Sequence, residues 1–446
     1  MSAFFETKNK NRMKFYSTKH QSPSVDLSEA VMNSMPRDRG LYMPEQINKM
    51  PESFWQNIEK MSFAEMSFEV AKCLLNGTIE VEALKEIVFD AINFDAPIHE
   101  LDEKMNCLEL FHGPSLAFKD FGARFMARLM SHFVKTSKEK LYILVATSGD
   151  TGGAVAQGFL GTANIEVIIL YPSQKISELQ EKQLTTLGQN IRAIEVQGTF
   201  DDCQRMVKAA FLDEELQAKM NLSSANSINI ARLIPQSFYY VYAYAQAKKA
   251  GRPIVFCVPS GNFGNITAGF LAQKIGMPVE KFVAANNANN VFQEYHKTGT
   301  FTARPSVPTY SNAMDVGNPS NLQRIQDLFG NDIDNIRKKV DAYSYDNEET
   351  VAAIKEIYEK YHYVSCPHTA VAYLGLKDYF KANTDSNAYG IFLGTAHPSK
   401  FLDIVEPALE TQVRIPANLA ILAKREKKAT LMNTDFESLK KYLFSC

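Results

Sequence analysis

Residues 141–153 read LYILVATSGDTGG, an apolar run followed by a loop of Thr, Ser, Asp and Gly. The run Leu141–Ala146 predicts a buried strand, and the glycines after it predict a tight turn into the helical pattern that begins at Ala154. A strand that ends in glycines at a helix start favours an anion, because free backbone N–H groups and the helix dipole point at the ligand. This stretch therefore predicts an α/β fold with an anion site at the edge of its sheet.

Other short apolar runs along the chain resemble the run at residues 141–146. Residues 165–171, 191–196, 254–258, 282–285 and 389–393 are each predicted to be strands, with helical patterns between them. Strands this apolar are typical of parallel sheets covered on both faces. The expected fold class is therefore α/β with doubly wound parallel sheets. In such folds the ligand crevice lies beyond the carboxyl ends of the strands, so the loops after these runs are the candidate site.

Two more strand-ending loops are rich in small and polar residues. Residues 259–265 read PSGNFGN and residues 394–398 read GTAHP. Any one of the three loops is equally compatible with an ordinary structural turn, but three in one sheet predict a ligand with at least two anionic groups. Neither G-x-x-x-x-G-K-[ST] nor G-x-G-x-x-G follows a strand, which argues against a nucleotide-binding enzyme.

A lysine lies in an unusually apolar window, residues 111–122, which read FHGPSLAFKDFG. A lysine at a helix edge often extends its ammonium to water, and that is the structural alternative for Lys119. Burial between Phe118 and Phe121 would instead lower the ammonium pKa and supply the neutral amine that Schiff-base chemistry needs. A nucleophilic lysine together with phosphate-binding loops indicates pyridoxal 5'-phosphate as cofactor.

Composition limits the remaining possibilities. The chain has 446 residues, 45% hydrophobic and 22% charged, which indicates a globular protein of two or three domains. A formal net charge of -2 gives no sign of a nucleic-acid partner. The six cysteines form no C-x-x-C pair, so we expect neither a zinc site nor disulfides, and a cytoplasmic location. No apolar run is long enough for a membrane span. Met13 is a possible true start, with residues 1–12 an upstream extension.

Three regions are predicted along the chain. Residues 13–95 are expected to form a small, mainly helical N-terminal domain, in which Asp26 caps a helix from Leu27 and residues 63–75 form another helix. Residues 96–413 are expected to form the cofactor-binding α/β core, in two lobes. Residues 414–446 are expected to be a helical C-terminal tail.

Five motifs in order carry a family resemblance: FHGPSLAFKDFG, TSGDTGG, NSINIARLIPQ, SNAMDVGNPSN and GTAHPSKF. Together with RGLYMP at residues 39–44, they resemble the microbial threonine synthase family among the fold type II pyridoxal-phosphate enzymes. The first two motifs occur more widely, in dehydratases and cysteine synthase. NSINIARLIPQ and GTAHPSKF are more specific to the threonine synthase family.

The resemblance implies roles for individual residues. Lys119 would carry the cofactor as a Schiff base and move protons, and Thr395 would meet the pyridine nitrogen. Asp150 stands where many relatives have Asn beside the phenolic oxygen of the cofactor. The cofactor phosphate would be held by the loop Gly261, Asn262, Phe263, Gly264 and Asn265. The substrate carboxylate would be bound by Thr147, Ser148 and Thr151.

Residues 226–232 would recognise a phosphate on the substrate. Arg232 offers a planar bidentate fork, and Asn226 and Ser227 add neutral donors. The structural alternative for Arg232 is a surface salt bridge. His112 and His397 also lie inside motifs, and for both we expect packing or hydrogen-bonding roles.

The implied reaction converts O-phospho-L-homoserine and water into L-threonine and phosphate. Two alternatives stay open at this stage. A serine or threonine dehydratase would need no phosphate-reading arginine in its pocket. A non-catalytic homologue that binds a phosphorylated metabolite would be expected to have lost the lysine. The expected assembly is a monomer or a homodimer.

Overall fold

The computed structural model describes residues 12–135, 137 and 139–446, so the proposed extension before Met13 lies almost wholly outside the described residues. The strands are β1 Phe15–Ser17, β2 Tyr42–Pro44, β3 Ile98–Glu100, β4 Met105–Glu109, β5 Leu141–Ala146, β6 Ile165–Pro172, β7 Ile191–Val196, β8 Asn221–Ser224, β9 Ile254–Pro259, β10 Lys281–Asn286, β11 Val340–Ser344, β12 Tyr389–Gly394 and β13 Thr430–Met432.

The helices alternate with these strands. They are α1 Leu27–Asn33, α2 Glu52–Asn57, α3 Phe63–Leu74, α4 Val81–Ala91, α5 Lys119–Val134, α6 Asp150–Phe159, α7 Glu178–Thr185, α8 Phe200–Leu212, α9 Glu214–Lys219, α10 Ile230–Leu233, α11 Gln236–Ala247, α12 Gly264–Lys274, α13 Val291–Thr298, α14 Leu322–Leu328, α15 Ile333–Lys339, α16 Asn347–Tyr361, α17 Pro367–Ala382, α18 Leu402–Leu409, α19 Ala417–Ala423 and α20 Phe436–Phe444.

The N-terminal region is mainly helical, with β1 and β2 paired antiparallel. The Asp26 side chain accepts a hydrogen bond from the Glu29 amide at 2.9 Å and caps α1, as its position in the sequence predicts. Ser62 and Glu65 form a capping box at the start of α3, the second helix predicted there.

Beyond the β1–β2 pair, the strands form two separate sheets rather than the single sheet in which the three candidate loops were expected. A six-stranded sheet has the order β11-β10-β9-β12-β4-β3 and is parallel except for β3, and a five-stranded parallel sheet has the order β13-β7-β6-β5-β8. The loop after β5 therefore belongs to one sheet, and the loops after β9 and β12 belong to the other. The expectation was wrong because similarly apolar strands do not reveal which of them pair.

The C-terminal tail is not entirely helical. Its strand β13 adds to the edge of the five-stranded sheet by parallel pairing with β7, beside the helices α19 and α20. Within the described ranges, no helix combines the length and the apolar character needed to cross a bilayer. The division at residues 95 and 413 stays a prediction.

A buried arginine joins the N-terminal region to the α/β core. Arg324, on α14, is fully buried. Its guanidinium donates to the carbonyls of Tyr42 at 3.0 Å and Ile228 at 2.7 Å, and to Asn321 Oδ1 at 2.8 Å. Burial lowers the pKa of Arg324 to about 9. Neutral carbonyl dipoles, rather than a carboxylate, therefore hold this cation.

A second buried contact joins the same two regions. Asn229 donates from Nδ2 to the Val31 carbonyl at 2.8 Å and to Ser34 Oγ at 2.9 Å. Its Oδ1 accepts from the Ala231 amide at 2.9 Å and caps α10. One side chain thus fixes α1 against the segment that carries Arg232.

We expect Asn229→Ala to lower the free energy of unfolding by about 1–3 kcal/mol, because it leaves buried backbone and hydroxyl groups without partners. Urea denaturation measures the change. Asn57→Ala is the matched control, since Asn57 is exposed and its side chain bonds the Ser53 carbonyl in its own helix and the exposed Lys60 ammonium. Equal midpoints for the two variants would show that the contact carries no stability.

Candidate active site

Two loops pair through their backbones and place the candidate lysine. Ala117 bridges Ala396, the Phe118 amide donates to the Thr395 carbonyl at 2.9 Å, and the His397 amide donates to the Leu116 carbonyl at 3.0 Å. This pairing fixes the start of α5 against the loop that follows β12. We name it the lysine clamp.

Lys119 is the first residue of α5 and is half-buried. Its amine forms no hydrogen bond or ion pair with the part of the chain that the structure describes, and its Nζ lies 5.8 Å from the centroid of the Phe118 ring. Burial lowers the pKa of Lys119 to about 8; Lys400 and Arg232 lower it too, whereas Asp150 raises it. A neutral, unpartnered amine is therefore accessible near neutral pH, in the direction the sequence argument predicts.

The loop of residues 261–265 leads from β9 into α12. Phe263 has a left-handed φ of 61° and turns the chain so that α12 starts at Gly264. A Cβ on Gly261 would lie 2.5 Å from the Met314 Cα, so only glycine permits this approach. The amides of residues 261–265 donate to no other residue in the described ranges. Free amides at a helix N-terminus form a site that fits a phosphate.

Asn265 adds a donor at the same loop. Its Oδ1 accepts hydrogen bonds from the hydroxyls of Tyr239 and Tyr240, both at 2.7 Å. Its Nδ2 is buried and bonds to nothing in the described ranges. A buried amide nitrogen left unbonded is costly, so its position indicates a missing acceptor, and an anion in the loop would supply one.

The motif at residues 311–321 braces this loop from outside. The Ser320 amide donates to Asn262 Oδ1 at 2.6 Å, and Asn321 Nδ2 donates to the Asn262 carbonyl at 3.0 Å. Asn262 Nδ2 in turn donates to Ser227 Oγ at 2.5 Å. The Asn262 side chain therefore connects the two candidate phosphate-binding segments, leaving only its backbone N–H for a ligand.

In the loop after β5, the side chains divide between shaping the loop and facing the cavity. Thr147 is buried, and its Oγ1 accepts from the Gly149 amide at 3.0 Å and the Gly152 amide at 2.8 Å. Its hydroxyl thus braces the loop, which passes through the positive φ of 131° at Gly149. Ser148 and Thr151 are half-buried. Their hydroxyls bond to no residue that the structure describes.

Asp150 forms a buried ion pair that the sequence did not predict. Lys400 Nζ lies 2.6 Å from Asp150 Oδ1, and the side chains are 0% and 5% exposed. Gln180 Nε2 donates to the same oxygen at 3.1 Å. Burial alone would raise the pKa of Asp150, but the charges of Lys400 and Lys119 outweigh it and hold the pKa well below its usual range. Asp150 is therefore ionised at working pH.

Arg232 is buried, so the alternative of a surface salt bridge is wrong. Its Nη1 donates to the Ala225 carbonyl, and its buried Nε has no partner among the residues that the structure describes. In the described part of the chain it pairs with no carboxylate at salt-bridge distance. Burial lowers the pKa of Arg232 to about 10, and Asp120 partly opposes this. A buried cation with an unused donor is typical of an anion site.

The remaining candidates adjoin residues already described in the site. Asn226 and Ser227 are half-buried, beside Arg232 in sequence and next to the brace of Asn262. Thr395 is 5% exposed, and only its carbonyl is used by the lysine clamp. Asn262 thus links residues 226–232 to the loop at residues 261–265, and the lysine clamp links Thr395 to the start of α5. The roles of these residues in binding stay predictions.

Sequence reasoning missed Lys400 and His368. Lys400 lies in the GTAHPSKF motif between Ser399 and Phe401, and an apolar neighbour like that of Lys119 was the available signal. His368 is buried at the start of α17, where its Nε2 accepts from the Ala313 amide at 3.2 Å. Burial lowers the pKa of His368 to about 4, so this imidazole is neutral.

The two motif histidines have structural partners. His112 is exposed and its Nε2 lies 2.8 Å from Glu109 Oε2. His397 Nδ1 accepts from the Ser399 amide at 3.1 Å and caps the short turn Pro398–Phe401. Both contacts agree with the hydrogen-bonding roles expected for them.

Family descriptions match almost the whole chain. Residues 97–388 match "Pyridoxal-phosphate dependent enzyme", residues 14–92 match "Threonine synthase N terminus" and residues 369–443 match "Threonine synthase, C-terminal".

Individual relatives agree. The threonine synthase of Escherichia coli (strain K12) is 41% identical over 434 residues, covering 97% of this chain and 100% of that protein. The crystal structure of threonine synthase from Escherichia coli superposes with a TM-score of 0.90, at 40% identity over 97% of this chain and 100% of the other. A PLP-bound threonine synthase from Brucella melitensis superposes with a TM-score of 0.91, at 32% identity over 97% and 98%.

In cofactor-free protein, we expect acylation of Lys119 to rise with pH around a midpoint near 8, since only the neutral amine reacts. Asp150→Asn should move this midpoint to lower pH, because Asp150 favours the charged ammonium. Peptide mass spectrometry after timed labelling measures both, with the exposed Lys49 as internal reference. A midpoint shifted upward in the variant would contradict the charge assignment.

Proposed function

The chain belongs to the threonine synthase family of pyridoxal-phosphate enzymes, and we propose that the cavity around Lys119 is its active site. Its function is the PLP-dependent conversion of O-phospho-L-homoserine and water into L-threonine and phosphate. The observation that carries the site assignment is the unpartnered Lys119 amine with its pKa of about 8.

The residues present fit the cofactor. Free amides of residues 261–265 and the unbonded Nδ2 of Asn265 would hold its phosphate. Lys119 would form the covalent bond, and the unused hydroxyl of Thr395 would meet the ring nitrogen. When bound, pyridoxal phosphate withdraws electrons from the attached amino acid and so acidifies its carbon-bound hydrogens.

Two sets of groups would hold the substrate at its two ends. The free hydroxyls of Ser148 and Thr151, with the backbone of the loop at the start of α6, would bind its carboxylate. Arg232, Asn226 and Ser227 would bind its phosphate, with Arg232 supplying the charge. Thr147 would act on the carboxylate site through the loop shape that its hydroxyl fixes.

Proton transfer falls to the Lys119 amine. Its lowered pKa lets it accept a proton from Cα or Cβ of the substrate and return one at Cγ or Cα near neutral pH. The neutral His368 and the ionised Asp150 keep the cavity's charges fixed while Lys119 changes protonation. Arg232 would neutralise the phosphate as it leaves Cγ.

The buried Arg232 disfavours the alternative of a serine or threonine dehydratase. A serine or threonine dehydratase handles a substrate without phosphate, and a buried cation with an unused donor would then remain unpaired. The presence of Lys119 disfavours a non-catalytic phosphometabolite-binding homologue. We further propose a cytoplasmic location, supported by six free cysteines. A monomeric or homodimeric assembly without nucleic acid stays a prediction.

We expect Lys119→Ala to abolish the covalent cofactor linkage, because no second amine is free in its place. Purified wild-type protein should be yellow and lose its absorbance band on borohydride reduction, with cofactor mass retained on the peptide that contains Lys119. A reducible adduct that persists in Lys119→Ala would overturn the assignment.

We expect Arg232→Gln to raise KM for O-phospho-L-homoserine roughly 10- to 100-fold, the value of one or two charge-assisted hydrogen bonds. The borohydride-reducible adduct should persist. Phosphate release coupled to threonine formation is the assay, and Arg205→Gln is the control, since Arg205 is exposed and pairs with Asp202. Unchanged kinetics in Arg232→Gln would remove Arg232 from the site.

A further inference from the structure

The two carboxylate oxygens of Asp150 have different surroundings in its ion pair with Lys400. Both contacts to the Asp150 carboxylate reach the same oxygen, Oδ1. Lys400 Nζ lies 2.6 Å from it, and Gln180 Nε2 donates to it at 3.1 Å. The other oxygen, Oδ2, bonds to no residue in the described ranges. One oxygen therefore anchors the carboxylate and the other is left for the cavity of Lys119.

Lys400 is itself fixed by more than its charge. Its side chain is fully buried, and its Nζ also donates to the Ser115 carbonyl at 2.9 Å. Gln183 Nε2 donates to the same carbonyl at 3.0 Å. The Ser115 amide donates to Asp120 Oδ2 at 2.9 Å. Lys400 thus lies in a rigid polar layer beneath the lysine clamp, out of contact with solvent.

The second donor to Asp150 is equally fixed. Gln180 Oε1 accepts from the Ser177 amide at 3.2 Å in the capping box of α7. Its amide group is therefore oriented with Nε2 toward Asp150. Two donors from different elements, α7 and the turn after β12, hold one oxygen of Asp150 in place.

The titratable groups around Asp150 show that its negative charge depends on Lys400. Asp150 is faced by Lys400, by Lys119 of α5, and by His368 and Cys366 near the start of α17. The imidazole of His368 and the thiol of Cys366 are both neutral, because burial disfavours their charged forms. Lys119 also loses its charge when it becomes a neutral amine. Among the residues that the structure describes, Lys400 is then the one cation in direct contact with Asp150.

We propose that Lys400 is a positioning residue that keeps Asp150 an ionised carboxylate with Oδ2 directed at the group carried by Lys119, as a fixed acceptor for a cofactor proton. The proposal rests on the proposed function for the identity of that group. An Asn at position 150 could offer the same acceptor without a counter-ion. Aspartate in that position requires a buried cation behind it, and Lys400 is that cation.

The first test follows the absorbance of the holoenzyme with pH. In wild type, Asp150 stays ionised and contributes no transition. In Lys400→Met, burial without a counter-ion raises the pKa of Asp150, so we expect one additional transition and a shifted band between roughly pH 5 and pH 9. In Asp150→Asn/Lys400→Met the additional transition should be absent. A Lys400→Met profile identical to wild type, or a transition that persists in the double variant, would overturn the proposal.

The second test uses cofactor-free protein and does not depend on the cofactor assignment. Thermal midpoints of Asp150→Asn, Lys400→Met and the double variant form a cycle. We expect at least one single variant to melt below the double variant, because removing one partner leaves a buried charge and removing both does not. Additive shifts would overturn the proposal.

The design separates the possible failures. If Lys400→Met does not fold, the double variant must still fold and show the wild-type number of transitions, and a double variant that also fails overturns the proposal. Lys219→Met is the matched control, because Lys219 forms an exposed ion pair with Glu215 and should change neither profile nor midpoint. Wild type without a borohydride-reducible linkage would refute the proposed function, while the thermal cycle would still decide on the pair.

Discussion

The lysine clamp is the contact on which the rest of the site depends. A bridge between Ala117 and Ala396, with two backbone hydrogen bonds beside it, brings the start of α5 to the end of β12. Lys119 lies on α5, and Thr395 and Lys400 lie in the segment that follows β12. Because the contact is made by backbone groups, it fixes the relative positions of the two segments without restricting which side chains they carry. The cavity can therefore combine an amine, a hydroxyl and a buried ion pair within a few residues.

Burial tunes the two basic side chains of the candidate site, Arg232 and Lys119. Arg232 is buried and Lys119 is half-buried, neither has a carboxylate partner in the described part of the chain, and burial lowers the pKa of both. For Lys119 this lowering supplies a base. For Arg232 a pKa of about 10 still leaves a cation at neutral pH, available to an incoming anion. The same burial thus brings the pKa of Lys119 close to neutral pH but leaves Arg232 charged, because the two groups start from different ordinary pKa values.

Much of the fold could be predicted from local patterns. The strand Leu141–Ala146 was predicted with its exact bounds because it is wholly apolar and ends at a polar loop. The strand Asn221–Ser224 was not, since half of its residues are serine and only its pairing with β5 makes it a strand. The assignment of strands to two sheets was also missed, because pairing depends on contacts between segments that are distant in sequence.

The site shows the same division. Lys119 and the loop at residues 261–265 could be found because apolar windows and glycine-rich turns are local signals. The pairing of Lys400 with Asp150 could not, since the two residues follow strands of different sheets and lie far apart in the chain. The contrast between Thr147, which braces its loop, and the free hydroxyls of Ser148 and Thr151 also depends on geometry that spacing does not contain.

The carbonyl contacts of Arg324 have a consequence for how this chain and its relatives can differ. The guanidinium donates to the backbone carbonyls of Tyr42 and Ile228, and the side chains of those two residues take no part in the hydrogen bonds. Substitution at either position leaves the contact intact, whereas an insertion or deletion that moves either carbonyl removes it. Near residue 42, the N-terminal region can therefore accept side-chain substitutions but not insertions or deletions. An exchange of that region between relatives should succeed where the two main chains superpose, however different their side chains are.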